Sequence, residues 1–332
     1  MCLILSARGA AGEPRRFEFV ETHMGSSFKI LLYSGDEAAA RSASRAAFDR
    51  VAGLDAALSD YDVDSELSRL VAASGGAPRP VGPELYDVLD KSRYWYDRTG
   101  GLLDPTIGPA GRLWRRARRE RKLPDPEKLA GALTLVGMDK LILDPAARTA
   151  QLTKPGMKLD VGGIAKGYAA QAAIDVLRDR GIDRALVAGA GDIVVSGPPP
   201  EAEGWTIGVA TLEPSKAEPE IYLSLKDCAV STSGDAERFV VIDGRRYSHI
   251  IDPRTGRAVE DRASVTVVAP DGATADALET SAYMMGPEKG LAFVDSIPGA
   301  AAVYTRETSE GVRRYESSRF KDVPRGRPRT AP

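Results

Sequence analysis

Residues that commonly build covalent or metal-bound frameworks are scarce in this sequence, whose 332 residues include two cysteines and two histidines. Two cysteines make neither a disulfide framework nor a zinc site. Cys228 lies in an apolar stretch, where we expect a buried thiol that behaves as a small hydrophobic residue. A hydrophobic core must therefore hold the fold, and a chain of this length that is 43% hydrophobic can supply one.

Long apolar runs and an excess of one charge are also missing. No segment approaches the roughly 18 apolar residues that a membrane-spanning helix needs. The 45 basic and 47 acidic residues give a net charge of −2, so we expect no nucleic-acid partner. One basic run, residues 112–122 around Trp114, is typical of a solvated helix or loop. A surface for phosphate or an acidic partner is the second interpretation of that run.

The order of apolar patterns along the chain predicts its architecture. Residues 36–58 have apolar positions at helical spacing, and residues 184–251 contain mostly short β runs. Two more helices are predicted near residues 274–285 and 287–296. Because helices and strands are mixed without strict alternation, we predict an α+β fold, one domain of mixed sheets covered by helices over residues 15–317.

The two ends of the chain lack these patterns. Residues 1–14 include a short apolar patch without the basic start and full apolar region of a signal peptide. We expect this segment to be either the end of an export signal or an unstructured start. Residues 318–332 are rich in arginine and proline, which predicts a disordered basic tail.

His249 lies in a run, residues 248–256, that reads SHIIDPRTG. Pro253 fixes φ and Gly256 allows a positive φ, so the run predicts a strand end followed by a rigid turn. An ionisable ring held there suits proton transfer or phosphate contact. The alternative is a hydrogen-bonded strand histidine ahead of an ordinary hairpin.

A glycine-rich turn follows a strand that ends at Asp160, and a helix begins after it. Such turns present free backbone N–H groups to phosphate, and Lys166 in the first turns of the helix adds a positive charge. The spacing fits neither a Walker loop nor a dinucleotide fingerprint. The glycines are explained equally well by tight packing of the strand against the helix.

The run from Asp271 to Gly286 predicts a helix that Thr274 caps. Asp276 and Thr280 are then four residues apart on one helical face. A carboxylate and a hydroxyl so placed are hard oxygen donors suited to Mg²⁺. Stabilisation of the helix start by Asp276 and packing of Thr280 are the alternative.

Three shorter runs complete the set of candidates. Asp104 precedes a proline and is therefore held extended, which fixes its carboxylate. Tyr61 lies between acidic residues, where its ring could stack on a planar ligand. Residues 231–235 form a hydroxyl- and glycine-rich turn after a strand.

Taken together and in this order, these runs resemble the ApbE family, the FAD:protein FMN transferases. The resemblance extends from about residue 24 to about residue 290. Its markers here are HMGSS, LSDYDVDSELSRL, GGLLDPTIGP, LDVGGIAKGY, TSGD, YSHIIDPRTG and ADALETSA. It implies Mg²⁺-dependent transfer of FMN from FAD to a threonine or serine of a target protein, with release of AMP.

The resemblance also implies roles for individual residues. His249 matches the histidine considered important for transfer. FAD contacts would fall on Met24, Tyr61, Asp104, Asp160, Lys166 and Ile250. The metal ligands would be Asp276, Thr280 and a main-chain carbonyl of the glycine-rich turn, that of Gly163.

Partners and location follow from the same resemblance. Family members are typically exported, often lipid-anchored, and act on respiratory flavoproteins such as subunits of a sodium-pumping quinone reductase or of the Rnf complex. We therefore expect a flavoprotein target in the periplasm or at the outer face of the inner membrane, although no signal or lipid-anchor motif is visible. Two other functions stay open, an FAD pyrophosphatase that yields FMN and AMP and a non-enzymatic flavin-binding protein.

Overall fold

A computed structural model of the chain describes residues 13–210, 212, 218–234 and 239–327. None of the helices in these ranges is both long enough and apolar enough to cross a membrane. Most of the N-terminal segment, residues 1–12, and the last five residues of the predicted tail lie outside the described residues. The expectations for those two parts therefore stay predictions.

An eight-stranded antiparallel sheet forms the centre of the described structure. Its strands in spatial order are β1 (Arg15–His23), β2 (Ser26–Ser34), β6 (Ala185–Gly189), β7 (Asp192–Val195), β10 (Cys228–Gly234), β13 (Ala263–Ala269), β14 (Ala301–Thr308) and β15 (Gly311–Glu316). The described residues also form three smaller sheets. One contains β3 (Arg79–Pro80), β4 (Leu141–Asp144) and β5 (Thr149–Leu152). The second pairs β8 (Trp205–Gly208) with β9 (Tyr222–Leu225), and the third pairs β11 (Phe239–Ile242) with β12 (Arg245–Ser248).

Helices cover one face of the central sheet. They are α1 (Glu37–Leu58), α2 (Glu66–Ala72), α3 (Pro83–Thr99), α4 (Gly108–Glu120), α5 (Pro126–Leu133), α6 (Ala165–Asp179), α7 (Gly272–Met285) and α8 (Pro287–Asp295). Of these, α6 and α7 make the most extensive contacts with the strands. Helix α1 packs on α6 and also contacts β1 and β2, and α8 contacts β14. This mixture of sheets and covering helices confirms the predicted α+β class.

Local sequence explains where the helices begin and end. Asp36 caps α1 by accepting hydrogen bonds from the first-turn N–H groups, and the buried residues of α1 recur at helical spacing. Pro83 opens α3 and Gly100, in the left-handed region at φ 62°, ends it. The prediction for α7 was wrong in one detail, since Asp271 rather than Thr274 is the cap. The Asp271 carboxylate accepts from both the backbone N–H and the hydroxyl of Thr274.

The opposite face of the sheet is covered by the β8–β9 hairpin and by the C-terminal segment. Phe320 is fully buried there, and Pro324 accepts a hydrogen bond from the backbone N–H of Ser224. Arg319 donates to main-chain carbonyls around the end of α8, including that of Ile297. The predicted disordered tail is therefore wrong for residues 318–327, because one aromatic anchor and several main-chain hydrogen bonds fix this stretch.

A third apolar cluster joins α4 to the β11–β12 hairpin. The Trp114 ring packs against Tyr247, with ring centres 5.4 Å apart, and its indole N–H donates to the Gly256 carbonyl over 2.7 Å. This contact fixes the end of β12 and the following turn against α4. His249, the residue after β12, is therefore carried on a supported strand end.

Candidate active site

A cavity of about 1260 Å³ opens between the helical layer, the ends of strands β7, β10 and β13 of the central sheet, and the segment that follows β12. It is larger than the pockets that hold drug-sized ligands, which suits a molecule of dinucleotide size. We call it the central cavity. All the site residues predicted from the sequence lie on its wall: Met24, Tyr61, Asp104, Asp160, Gly163, Lys166, His249, Ile250, Asp276 and Thr280.

Met24 reaches the cavity from the tight turn between β1 and β2. Met24 and Gly25 both have positive φ, 51° and 69°, as the favoured two-residue hairpin turn requires. A left-handed conformation is uncommon for methionine, and a long-range hydrogen bond holds it here. The Met24 N–H donates to the Asp55 carboxylate of α1 over 2.7 Å. This bond fixes the turn that presents the Met24 side chain.

The start of α6 lies unusually close to the start of α7. A Cβ atom added to Gly167 would lie 2.1 Å from the Gly272 carbonyl oxygen, so only glycine fits at this crossing. The approach lets the Gly167 N–H donate to the buried Asp276 carboxylate over 3.0 Å. Gly167 is therefore required by close packing of α6 against α7, a contact between two helices rather than the strand–helix packing expected for the glycines of the preceding turn.

The other backbone N–H groups of the glycine-rich turn are largely engaged as well. Gly162 donates to the Asp160 carboxylate over 3.0 Å, and the N–H groups of Ile164 and Ala165 donate to the Val161 carbonyl. The Lys166 ammonium donates to the Gly162 carbonyl over 2.7 Å. The expectation that free N–H groups of this turn face phosphate does not hold for these positions, since protein oxygens occupy them.

Two buried carboxyl groups lie side by side on α7. Burial raises the pKa of Asp276 above its ordinary value, while the Lys166 charge and the Gly167 N–H oppose this shift. Burial also raises the pKa of Glu279 well above its ordinary value, and the charges of Asp276 and Asp192 add to the effect. A bound cation would stabilise the ionised form of these clustered, buried carboxyl groups.

The donors around Asp276 fit Mg²⁺ chemically. A Cβ atom placed on Gly163 would lie 3.6 Å from the Thr280 hydroxyl oxygen, so the glycine-rich turn and α7 meet at this point. Thr280 donates its hydroxyl proton to Glu279 Oε1 over 3.0 Å, which leaves its lone pairs for a metal. Glu279 Oε2 is buried and makes no hydrogen bond to any described residue.

This donor set is poor in protein carboxylates. Within the described ranges no group of three or more His, Cys, Asp or Glu side chains could hold a metal ion. One carboxylate, one hydroxyl and one carbonyl are typical of a Mg²⁺ site that substrate phosphates and water complete. The residues present therefore fit a magnesium ion that binds together with a phosphate ester.

His249 is half-buried on the cavity wall directly after β12. The turn that follows is rigid, since Asp252 accepts from the main chain at Thr255 and Gly256 and forms a bidentate pair with Arg254. Burial alone would raise the pKa of Asp252, but the hydrogen bonds and the charge of Arg254 outweigh this effect. The pKa of Asp252 therefore lies below its ordinary value. Arg254 is thus paired with Asp252 within the turn. His249, and not Arg254, lines the cavity.

Asp104 lies on the wall at the start of a short 3₁₀ helix, Pro105–Ile107. One carboxylate oxygen accepts from the backbone N–H of Thr106 over 2.8 Å and from its hydroxyl over 2.5 Å. Burial nevertheless raises the pKa of Asp104 above its ordinary value. The extended conformation imposed by the following proline is observed, at φ −118° and ψ 107°.

The basic run forms α4, and part of it faces the cavity. The exposed Arg112, Arg116 and Arg119 agree with the solvated-helix interpretation. Arg115 and Arg118, however, line the cavity. That interpretation is therefore incomplete, because one side of this helix is a wall of the site.

Sequence reasoning missed several wall residues, among them Asp60, Arg115, Asp192 and Glu279. Glu279 follows Asp276 by three residues, so helical spacing alone could have identified it. Arg115 and Asp160 are 45 residues apart and meet only in the folded chain. No local pattern indicates that contact.

Comparison with known proteins identifies the family. The model of the ApbE family matches residues 24–304 of the sequence. The chain belongs to the ApbE family. The resemblance seen in the sequence is thus confirmed, and the match covers the cavity wall from the Met24 turn to α7 and beyond.

Relatives and solved structures of this family cover most of the chain. The FAD:protein FMN transferase of Treponema pallidum is 32% identical over 92% of this chain and 89% of its own length, and that of Vibrio cholerae is 32% identical over 80% and 79%. The flavin transferase ApbE structure from Vibrio cholerae superposes with a TM-score of 0.84 at 28% identity, covering 93% of this chain and 99% of that one. The ApbE protein structure from Thermotoga maritima gives 0.83 at 30% identity, with 94% and 100% covered. The two relatives and the Vibrio cholerae structure are transferases by name.

Proposed function

We propose that this protein is a Mg²⁺-dependent FAD:protein FMN transferase, which moves FMN from FAD to a threonine or serine hydroxyl of a target protein and releases AMP. One observation carries the proposal. One cavity of suitable size is lined by the proposed magnesium donors, His249 and the expected FAD contacts. The names of the similar transferases support it.

The cavity wall divides into regions with different chemistry. Tyr61 and Met24 supply surfaces for a planar ring, and Asp104 and Asp160 supply acceptors for ring N–H groups. Lys166 and the donors on α7 lie around the phosphate-binding region. FAD bound in this way would have its pyrophosphate between Lys166 and Asp276.

Asp276, Thr280 and the Gly163 carbonyl would hold Mg²⁺, which when bound neutralises the pyrophosphate and the negative charge that develops on the leaving AMP. Lys166 contributes a positive charge beside Asp276. The Asp276 carboxylate is itself oriented by the Gly167 N–H. The protein thereby keeps its own donors fixed before substrate binds, which lowers the reorganisation needed during reaction.

His249 would act as the general base. The hydroxyl oxygen of the target attacks the phosphorus on the FMN side of the pyrophosphate, and its proton passes to the His249 ring. The bond between this phosphorus and the bridging oxygen breaks, and AMP leaves with the electron pair. The reference pKa of the histidine side chain, near 6.5, suits this residue type to act as a base near neutrality.

The target and the compartment belong to the same proposal. A flavoprotein subunit of a respiratory complex, outside the cytoplasm, is the acceptor we propose. Such a protein must bring its hydroxyl to the cavity mouth, near His249. Water that reached the same phosphorus would instead give FMN and AMP, so exclusion of water by the docked target decides between transfer and hydrolysis.

The products of FAD cleavage test the proposal. The purified protein is incubated with FAD, with and without Mg²⁺ and with and without a candidate flavoprotein domain, and AMP, free FMN and protein-bound FMN are quantified. We expect Mg²⁺-dependent AMP release matched by protein-bound FMN. AMP with an equal amount of free FMN in the presence of the domain would favour the pyrophosphatase. Tight FAD binding without AMP release would favour a flavin-binding protein.

A further inference from the structure

Arg115 makes contacts with two walls of the central cavity at once. Its guanidinium donates to the Asp160 carboxylate over 2.9 Å and also pairs with the Asp60 carboxylate. Its Cζ atom lies 4.6 Å from the centre of the Tyr61 ring, a cation–π distance. Three elements therefore meet at this side chain, namely α4, the loop after α1 and the turn before α6.

The helix that carries Arg115 is fixed independently of the cavity. The preceding residue, Trp114, is buried and hydrogen-bonded to the Gly256 carbonyl. Ala117 is buried on the same apolar cluster. Because these contacts set the rotation of α4, the guanidinium of Arg115 is directed to the cavity by the packing of the helix and not by the ligand.

The Tyr61 ring is exposed, so the Arg115 guanidinium holds it in place where a buried aromatic ring would be held by the core around it. Tyr61 is 78% exposed, whereas Asp60 beside it has a side chain only 18% exposed. The guanidinium covers one face of the Tyr61 ring, so the other face is available for stacking. A ring that is already held in place loses less conformational freedom when a planar ligand binds.

The Asp160 carboxylate is held from two sides. The Gly162 N–H donates to one oxygen and Arg115 donates to the other. Both carboxylates accept from the same guanidinium nitrogen, Nη2, while the guanidinium lies over the Tyr61 ring. A lysine ammonium could also lie between two carboxylates, but it has no plane that stacks on a ring. The arrangement thus uses properties that are specific to arginine.

We propose that Arg115 is a positioning residue for FAD, which preorganises the Tyr61 ring and the Asp160 carboxylate as a binding wall for one planar ring of the dinucleotide. This inference rests on the proposed function, because it takes FAD as the substrate. Arg115 takes no part in the phosphate chemistry at Asp276, so its loss should weaken FAD binding more than it slows turnover.

Equilibrium binding of FAD in the absence of Mg²⁺ tests this, together with KM and kcat in its presence. We expect Arg115→Lys to raise the dissociation constant and KM by about tenfold, with kcat changed by less than about twofold. Lysine keeps the charge between Asp60 and Asp160, so the fold should survive. Arg116→Lys is the matched control, since this neighbour is exposed and pairs with Glu120 on its own helix.

A double-mutant cycle separates this role from a general structural one. In a Tyr61→Leu background the ring that Arg115 supports is gone, so Arg115→Lys should weaken FAD binding much less than in the wild type. An equal loss in both backgrounds, or wild-type affinity in Arg115→Lys itself, would overturn the inference. Absence of FAD binding by the wild-type protein would instead overturn the proposed function and the inference with it.

Discussion

The Asp276 carboxylate and the Gly167 backbone N–H are joined by a hydrogen bond of 3.0 Å, which links α7 to the first turn of α6. The bond is possible because Gly167 and Gly272 have no side chains at the point where the two helices approach. The same approach brings Thr280 next to the Gly163 turn. The proposed metal site is thus a consequence of how two helices pack on the central sheet.

Gly167→Ala should therefore damage both the fold and the site. The new methyl group would lie 2.1 Å from the Gly272 carbonyl oxygen, so α6 and α7 must move apart. We expect a loss of about 1 to 3 kcal/mol in the free energy of unfolding, measured with urea, and a loss of Mg²⁺-dependent FAD cleavage. Gly53→Ala on α1 is the control, since nothing lies within 4 Å of its added Cβ. Equal stability of the two variants would contradict the account.

Asp55→Ala should loosen the Met24 turn. The Met24 N–H would lose its carboxylate acceptor, and a hydrogen bond to a charged group contributes roughly 1.5 to 3 kcal/mol. We expect lower stability and weaker FAD binding, measured by urea unfolding and by equilibrium titration. Asp55→Asn keeps an acceptor oxygen, so this variant should retain most of the stability and most of the FAD affinity. Unchanged FAD affinity in Asp55→Ala would show that FAD binding does not depend on this hydrogen bond.

Glu279 should support Thr280, the proposed magnesium donor next to it. Because Glu279 accepts the Thr280 hydroxyl proton, Glu279→Leu removes the group that directs the hydroxyl lone pairs. We expect Mg²⁺ affinity to fall by about 10- to 100-fold, as measured by calorimetry or by Mn²⁺ competition. Glu279→Gln retains an acceptor for the Thr280 hydroxyl, so its Mg²⁺ affinity should fall less. If both variants bind Mg²⁺ as the wild type does, Glu279 does not orient the Thr280 hydroxyl for the metal.

Asp104 should make stability depend on pH in a defined direction. Burial raises its pKa in the folded protein above the ordinary value of 3.8. Its contribution to stability is therefore fully present below that value and is lost as the pH rises through the folded pKa. Asp104→Asn removes this titration and can still accept from Thr106. The stability of the variant relative to the wild type should rise from about pH 4 to about pH 7, as urea unfolding would measure. A flat difference would contradict the assigned pKa shift.

Local patterns were sufficient for the parts of the site that lie on one element. The helical period places Asp276 and Thr280 on one face of α7, and turn chemistry places His249 at the end of a strand. These relations depend only on residues close in sequence. The family motifs then extended the set to residues on other elements.

Long-range packing explains what the sequence could not indicate. Asp60 and Arg115 are 55 residues apart, and their pairing depends on how α4 is rotated by Trp114. The C-terminal segment was expected to be disordered from its composition, yet Phe320 fits into a gap that only the folded sheet creates. Neither contact has a local signal, so both required the three-dimensional structure.

Covalent transfer is the central claim, and the intact mass of an acceptor domain tests it most directly. The domain is incubated with this protein, FAD and Mg²⁺, beside a copy whose acceptor threonine is replaced by valine and beside reactions with the His249→Ala enzyme. The account predicts that only the threonine domain with the wild-type enzyme gains the mass of one FMN, and that His249→Ala still binds FAD. An unchanged acceptor mass while AMP and free FMN accumulate, or full labelling by His249→Ala, would contradict it.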